Sequence, residues 1–131
     1  MSKRIHWGIL GLGNIAHKFA QDLLLAGANL KAVASRDLEK AMHFANKYQS
    51  DRYYPSYQEL ADDPEVDVVY IATPHVFHYE HTMMCLGAGK SVLCEKAFGM
   101  NAQEVEEMIA EAQKRKLFLM EALWTRFIPM T

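Results

Sequence analysis

Short apolar runs alternate with amphipathic stretches from one end of the chain to the other. Residues 4–10 carry large apolar side chains up to Gly11, which predicts a buried strand. Residues 14–26 place Ile15, Phe19, Leu23 and Ala26 on one face, with Asn14 able to cap and Gly27 able to stop that helix. A second strand is predicted over 30–35. A helix follows over 38–48, with Leu38, Ala41, Met42, Ala45 and Tyr48 at helical spacing. The stretch before Pro55 allows a short strand, and Ser56 with Glu59 forms a capping box for a small helix ending near residues 62–64. Residues 66–72 (VDVVYIA) are the most strand-like run. Pro74 is predicted to open a helix to about Leu86, ended by Gly87 and Gly89. Residues 90–94 form a further strand. Asn101 with Glu104 caps a helix whose Val105, Met108, Ile109 and Ala112 point inward, and 117–121 form the last strand.

Strands alternating with helices predict an α/β domain: a doubly wound parallel sheet covered on both faces, of the Rossmann dinucleotide-binding type. It should occupy residues 1–122, with 123–131 beginning a connection to something beyond. The chain has 131 residues, half of them hydrophobic, which suits one domain with a real core. A net charge of −2 leaves no basic stripe for nucleic acid, and the basic run 114–116 falls at a predicted helix end, where cations suit the dipole. No run reaches the length of a membrane span, and the N-terminus lacks a signal-peptide pattern. Cys85 and Cys94 sit in apolar context without metal spacing, so buried reduced thiols and a cytoplasmic home are expected.

Gly11-Leu12-Gly13-Asn14-Ile15-Ala16 fits G-x-G-x-x-[GA]. The pattern is weak alone, but here it follows a strand and opens a helix within a β-α-β unit. Gly11 makes the tight turn, Gly13 admits a pyrophosphate, and the amides of Asn14 and Ile15 begin a helix N-terminus suited to phosphate. Where NAD-binding versions carry an acid for the ribose 2′-hydroxyl, this chain has Ser35 and then Arg36. A missing carboxylate removes repulsion of a 2′-phosphate, and a hydroxyl plus a guanidinium supply donors. NADP is therefore the expected cofactor, with NAD the alternative. Asp37 can bind the ribose or cap the following helix.

Thr73, Pro74 and His75 follow the strongest strand and should border the cofactor. His75, His78 and His81 recur every three residues, but that spacing drifts by about 60° per step around a helix, so a metal site is not expected. His75 and His78 are instead candidates for cofactor contact. Glu95 and Lys96 end the strand 90–94 at the same edge. Lys96 there can hold a substrate hydroxyl, help move its proton or steady the nicotinamide ribose, or simply close the strand as a surface pair with Glu95.

These stretches together resemble the Gfo/Idh/MocA oxidoreductases. GILGLGNIAHKF, VASRDLEKA, YIATPHVFHYEH, LGAGKSVLCEKA and LFLMEALWTRFIP carry the likeness, the last two pointing to the dimeric dihydrodiol and NADP-dependent xylose dehydrogenase branch. The resemblance implies hydride transfer between a nicotinamide dinucleotide and a sugar or cyclic diol. It implies a catalytic and ribose-side role for Lys96, with Glu95 beside it. Gly11, Gly13, Ser35 and Arg36 become cofactor contacts, and Trp124 and Arg126 lie near substrate. Ala97 stands where the family carries proline, which should loosen the loop bearing Lys96. The family fold continues into a larger α+β domain that supplies the main acid/base. The chain is therefore expected to be a fragment with little activity alone, the alternative being a stand-alone nucleotide-binding or sensing module. Its apolar tail, with Leu123, Trp124, Phe127, Ile128 and Met130, is expected to self-associate if left uncovered.

Overall fold

A computed structural model describes residues 5–96 and 99–122. Six strands, His6–Leu10 (β1), Asn29–Ala34 (β2), Arg52–Tyr54 (β3), Val68–Ile71 (β4), Ser91–Glu95 (β5) and Leu119–Ala122 (β6), form one sheet in the order β3-β2-β1-β4-β5-β6. Every neighbouring pair is parallel. The order reverses direction at β1, between β2 and β4, and open α/β sheets bind ligands beyond the carboxyl ends of the strands at that point.

Alternation along each strand divides the core in two. Ile9, Val33, Tyr70 and Leu93 pack with Phe19 and Leu23 of helix α1 (Asn14–Leu25) and Phe44 and Tyr48 of α2 (Leu38–Tyr48). Leu10, Val69, Ile71, Val92 and Cys94 face the other way. They meet Leu60 of α3 (Tyr57–Ala61), Cys85 and Leu86 of α4 (His78–Gly87) and Ala112 of α5 (Ala102–Arg115). Strands apolar on both sides are what a sheet covered twice requires. Burial pushes both thiols up to about 12, so Cys85 and Cys94 are inert packing groups.

Several local expectations change. Asn14 does not cap α1: Gly13 holds the cap position with no side-chain bond, and Asn14 is the first helical residue. The inward face of α1 is Ala16, Phe19, Ala20 and Leu23; Ile15 is half-buried and Ala26 exposed. Small alanines at 16 and 20 are fully buried against the sheet, and the larger Ile15 lies at the edge of that face. In α2, Phe44 takes the core position expected for Met42, and Leu38 is exposed in the first turn. Pro74 does not start the helix over 74–86. Its ψ of 149° is extended, and a 3-10 turn His75–Phe77 intervenes before α4. In α5 Met108 and Ala112 are buried, whereas Val105 is half-buried and Ile109 exposed. The caps at Asp37, Ser56 and Asn101 each accept a backbone amide as their residue types favour.

Candidate dinucleotide site

The carboxyl ends of β1, β2 and β4 open into a cleft of about 700 Å³. Gly11, Gly13, Asn14, Ile15, Ser35, Arg36, Thr73 and Pro74 all line it, joined by Leu12, Asp37, Lys40, Tyr57 and Ala72. Parallel pairing brings the three segments together. The Gly11 amide donates to the Ala34 carbonyl at 3.0 Å, and the Ala72 amide donates to that of Leu10 at 2.9 Å.

The two glycines of the turn serve different needs. Gly11 has φ +94°, and a Cβ there would lie 2.7 Å from Thr73 Cγ2 and 2.9 Å from the Thr73 nitrogen. Fold geometry alone demands glycine at 11. Gly13 has φ −83° and ψ −165°, open to any residue, and a Cβ would meet no protein atom within 4 Å. Neither strain nor packing accounts for glycine at 13. The first intrahelical bonds of α1 run from Ala16 and His17 to the Gly13 carbonyl, at 3.1 and 3.3 Å. Helix geometry therefore leaves the Asn14 and Ile15 amides without intrahelical acceptors at the positive end of the helix dipole, a setting that suits an anion.

At the β2 end, Asp37 acts as a cap. Its Oδ1 accepts from the Glu39 and Lys40 amides at 3.0 and 3.3 Å. Ser35 is buried, and its hydroxyl accepts from the Asp37 amide at 3.2 Å while keeping its own hydrogen to donate. Arg36 and Lys40 are exposed on the cleft wall. Lys40 escapes the sequence motifs. It reaches the cleft wall from the first turn of α2, which begins at Leu38. Tyr57 is likewise brought in from α3 by tertiary packing, its ring edge-on to His81 at 4.9 Å.

The three histidines are hydrogen-bond links. His78 is buried, with Nε2 donating to the Thr73 carbonyl at 2.7 Å, so it lies behind the cleft wall. Thr73 lines the cleft, whereas His78 is not among its lining residues. His81 Nδ1 pairs with the Thr73 hydroxyl at 2.8 Å, and burial lowers its pKa below the usual value. His75 is exposed, with Nε2 3.1 Å from the Gly99 carbonyl. Among the described residues no group of three or more His, Cys, Asp or Glu is arranged to hold a metal ion.

Glu95 is buried at the end of β5, where its carboxylate accepts from the Tyr70 hydroxyl. Burial and that carboxylate drive the Tyr70 pKa far up, so the phenol stays protonated. Lys96 is exposed one residue past the strand, at the edge carrying the cleft but not among its lining residues. Ala97, Trp124, Arg126 and the rest of the 123–131 tail lie outside the described residues.

Known proteins share this sequence and fold. The chain is 52% identical over 128 residues to trans-1,2-dihydrobenzene-1,2-diol dehydrogenase of Homo sapiens, covering 95% of this chain and 38% of that protein. The Sus scrofa protein of the same name is 51% identical with the same coverage. The chain thus spans 38% of the length of these curated relatives. Among solved structures, it matches an NAD binding oxidoreductase from Klebsiella pneumoniae with a TM-score of 0.88 and 32% identity, covering 92% of this chain and 35% of the other. It matches a 3-ketoreductase from Actinomadura kijaniata, in complex with TDP-benzene and NADP, with a TM-score of 0.86 and 31% identity over 91% of this chain and 38% of that one. The model of the Gfo/Idh/MocA oxidoreductase family, NAD-binding Rossmann fold, matches residues 5–123, and the chain belongs to that family.

Proposed function

We propose that this chain is the NADP(H)-binding unit of a dehydrogenase that moves a hydride between the nicotinamide and a carbinol carbon of a sugar or cyclic diol. The observation that carries the reading is Gly13, a glycine that neither the backbone nor the packing needs, beside amides suited to a pyrophosphate. Ser35, Arg36 and Lys40 supply the preference for the 2′-phosphate. Asp37 is committed through Oδ1 to capping α2.

The bound nicotinamide supplies the hydride acceptor or donor. Thr73 and Pro74 border the cofactor, and Lys96 orients the substrate oxygen, steadies the nicotinamide ribose and assists the proton that accompanies the hydride. Glu95, held by the Tyr70 hydroxyl, sets a carboxyl group next to that lysine in the chain. Trp124 and Arg126 meet the substrate, and residues 123–131 lead into a further domain carrying the main acid/base. The chain alone binds cofactor and turns over slowly or not at all. Its buried thiols suit a reducing compartment, the cytoplasm.

The test is NADPH and NADH titration by nicotinamide fluorescence, with turnover measured alongside. We expect NADPH to bind about ten- to a hundred-fold more tightly than NADH, the worth of one charge-assisted contact. Arg36→Glu or Lys40→Glu should erode that ratio while leaving NADH affinity nearly unchanged. Equal affinity for both cofactors would overturn the NADP assignment, and absence of binding to either would overturn the function.

A further inference from the structure

His75 sits at the cleft rim yet points its ring elsewhere. Its Nε2 lies 3.1 Å from the carbonyl oxygen of Gly99, 24 positions along the chain. Gly99 comes three residues after Lys96, so this bond joins the loop after β4 to the loop after β5. A carbonyl only accepts, so Nε2 carries the hydrogen; the neutral Nε2–H tautomer and the imidazolium can both supply it.

Both ends of the link are anchored. The His75 ring packs edge-on against His78 at 5.6 Å, and His78 is itself buried and bonded to the Thr73 carbonyl. On the other side the Met100 amide donates to the Glu104 carboxylate at 2.7 Å, and the Glu104 amide donates to Asn101 Oδ1 at 2.9 Å. Gly99 is pressed against α5, since a Cβ there would lie 3.1 Å from Glu104 Cβ. Gly99, three residues after Lys96, is thus held between the cap of α5 and the imidazole of His75.

We propose that His75 is a positioning residue for Lys96, holding the loop after β5 against the loop after β4 through the Gly99 carbonyl. The inference rests on the reading of Lys96 as a ribose- and substrate-side group. It assigns His75 a role distinct from direct cofactor contact.

Two measurements on the chain test it. The first needs no ligand: limited trypsin digestion, following by mass spectrometry the fragment that ends at Lys96. Losing one hydrogen bond should speed that cut about two- to tenfold in His75→Ala. His75→Gln keeps an N–H donor and should cut nearly as slowly as the parent. Equal rates for the parent and His75→Ala would overturn the clamp, as would a Gln variant as fast as Ala. The second is a double-mutant cycle of NADPH affinity with Lys96→Ala. His75→Ala should weaken binding about two- to tenfold when Lys96 is present and have little effect when it is absent. Equal losses in both backgrounds would show that His75 does not act through Lys96. If the parent chain fails to bind NADPH, the proposed function falls, while the trypsin comparison still decides the clamp. Thermal melts within about 2 °C of the parent confirm that the exposed substitution leaves the fold in place.

Discussion

Glycine stands at 11 and at 13 for reasons that substitution can separate. At 11 the backbone is left-handed and the Thr73 backbone stands where a side chain would go. Gly11→Ala should cost at least about 1–3 kcal/mol of stability, read as a lowered urea midpoint. At 13 the conformation is ordinary and the space open. Gly13→Ser should leave the melting temperature unchanged or slightly raised, because serine is a good cap for α1. The same change should weaken NADPH binding by about tenfold or more, since the new side chain occupies the pyrophosphate approach. Loss of stability without loss of binding in Gly13→Ser would contradict the ligand argument. The motif located both glycines, but only the structure separates their roles. The distinction depends on Thr73, which reaches Gly11 through the pairing of β1 with β4.

At the scale of elements, three of the helix starts are written in single residues. Asp37, Ser56 and Asn101 are caps legible from residue type, because a short acceptor side chain satisfies amides only a few positions away. The ends of α2 and α5 lack the glycine that commonly marks one. Gln49 and Lys116 adopt the left-handed conformation instead, with φ of 61° and 60°. Gln49→Gly should therefore stabilise the chain by about 0.5–1 kcal/mol, seen as a higher denaturant midpoint. Asp37→Ala should cost about 1 kcal/mol by the same measurement, having lost two amide partners. Helix faces were legible only to within a fraction of a turn. Phe44 rather than Met42 and Ala16 rather than Ile15 face the sheet. Periodicity gives the existence of a stripe, whereas the position of the neighbouring layer chooses its centre.

Across the whole molecule, buried ionisable groups tie stability to pH. His81 is held below its ordinary value first by burial, and so is His17, where Lys47 and Lys40 add to the effect. The unfolded chain takes up protons near pH 6.5 that these folded imidazoles refuse until lower pH, so their contribution is full above that value and is lost as acid is added. Asp63 comes next. Burial opposes its ionisation, but the Glu65 amide, the Tyr54 hydroxyl and the Arg52 guanidinium together hold its pKa below the usual value. Its contribution is present above its unfolded pKa near 3.8 and disappears as pH falls through the lower folded value. Urea midpoints should thus drop between about pH 7 and 5 and again below about pH 4. His81→Asn should flatten part of the first step. A midpoint constant from pH 7.5 to 5 would contradict this account.

The sequence by itself determined the doubly wound sheet, the glycine turn, the Ser35-Arg36 pair and the place of Lys96 at a strand end. Those depend on neighbours a few residues apart, where periodicity and backbone geometry act directly. Tertiary structure alone decided the rest. It linked His78 and His81 to Thr73 and His75 to Gly99, set Tyr70 on Glu95, and added Lys40 and Tyr57 to the cleft. It also gathered Arg52, Tyr54 and the Lys90 ammonium around the residue at 63. Such contacts join segments up to 27 positions apart, and their partners are chosen by strand order and crossover. A local pattern does not specify these, because hydrogen-bonding groups of the same kind are scattered all along the chain.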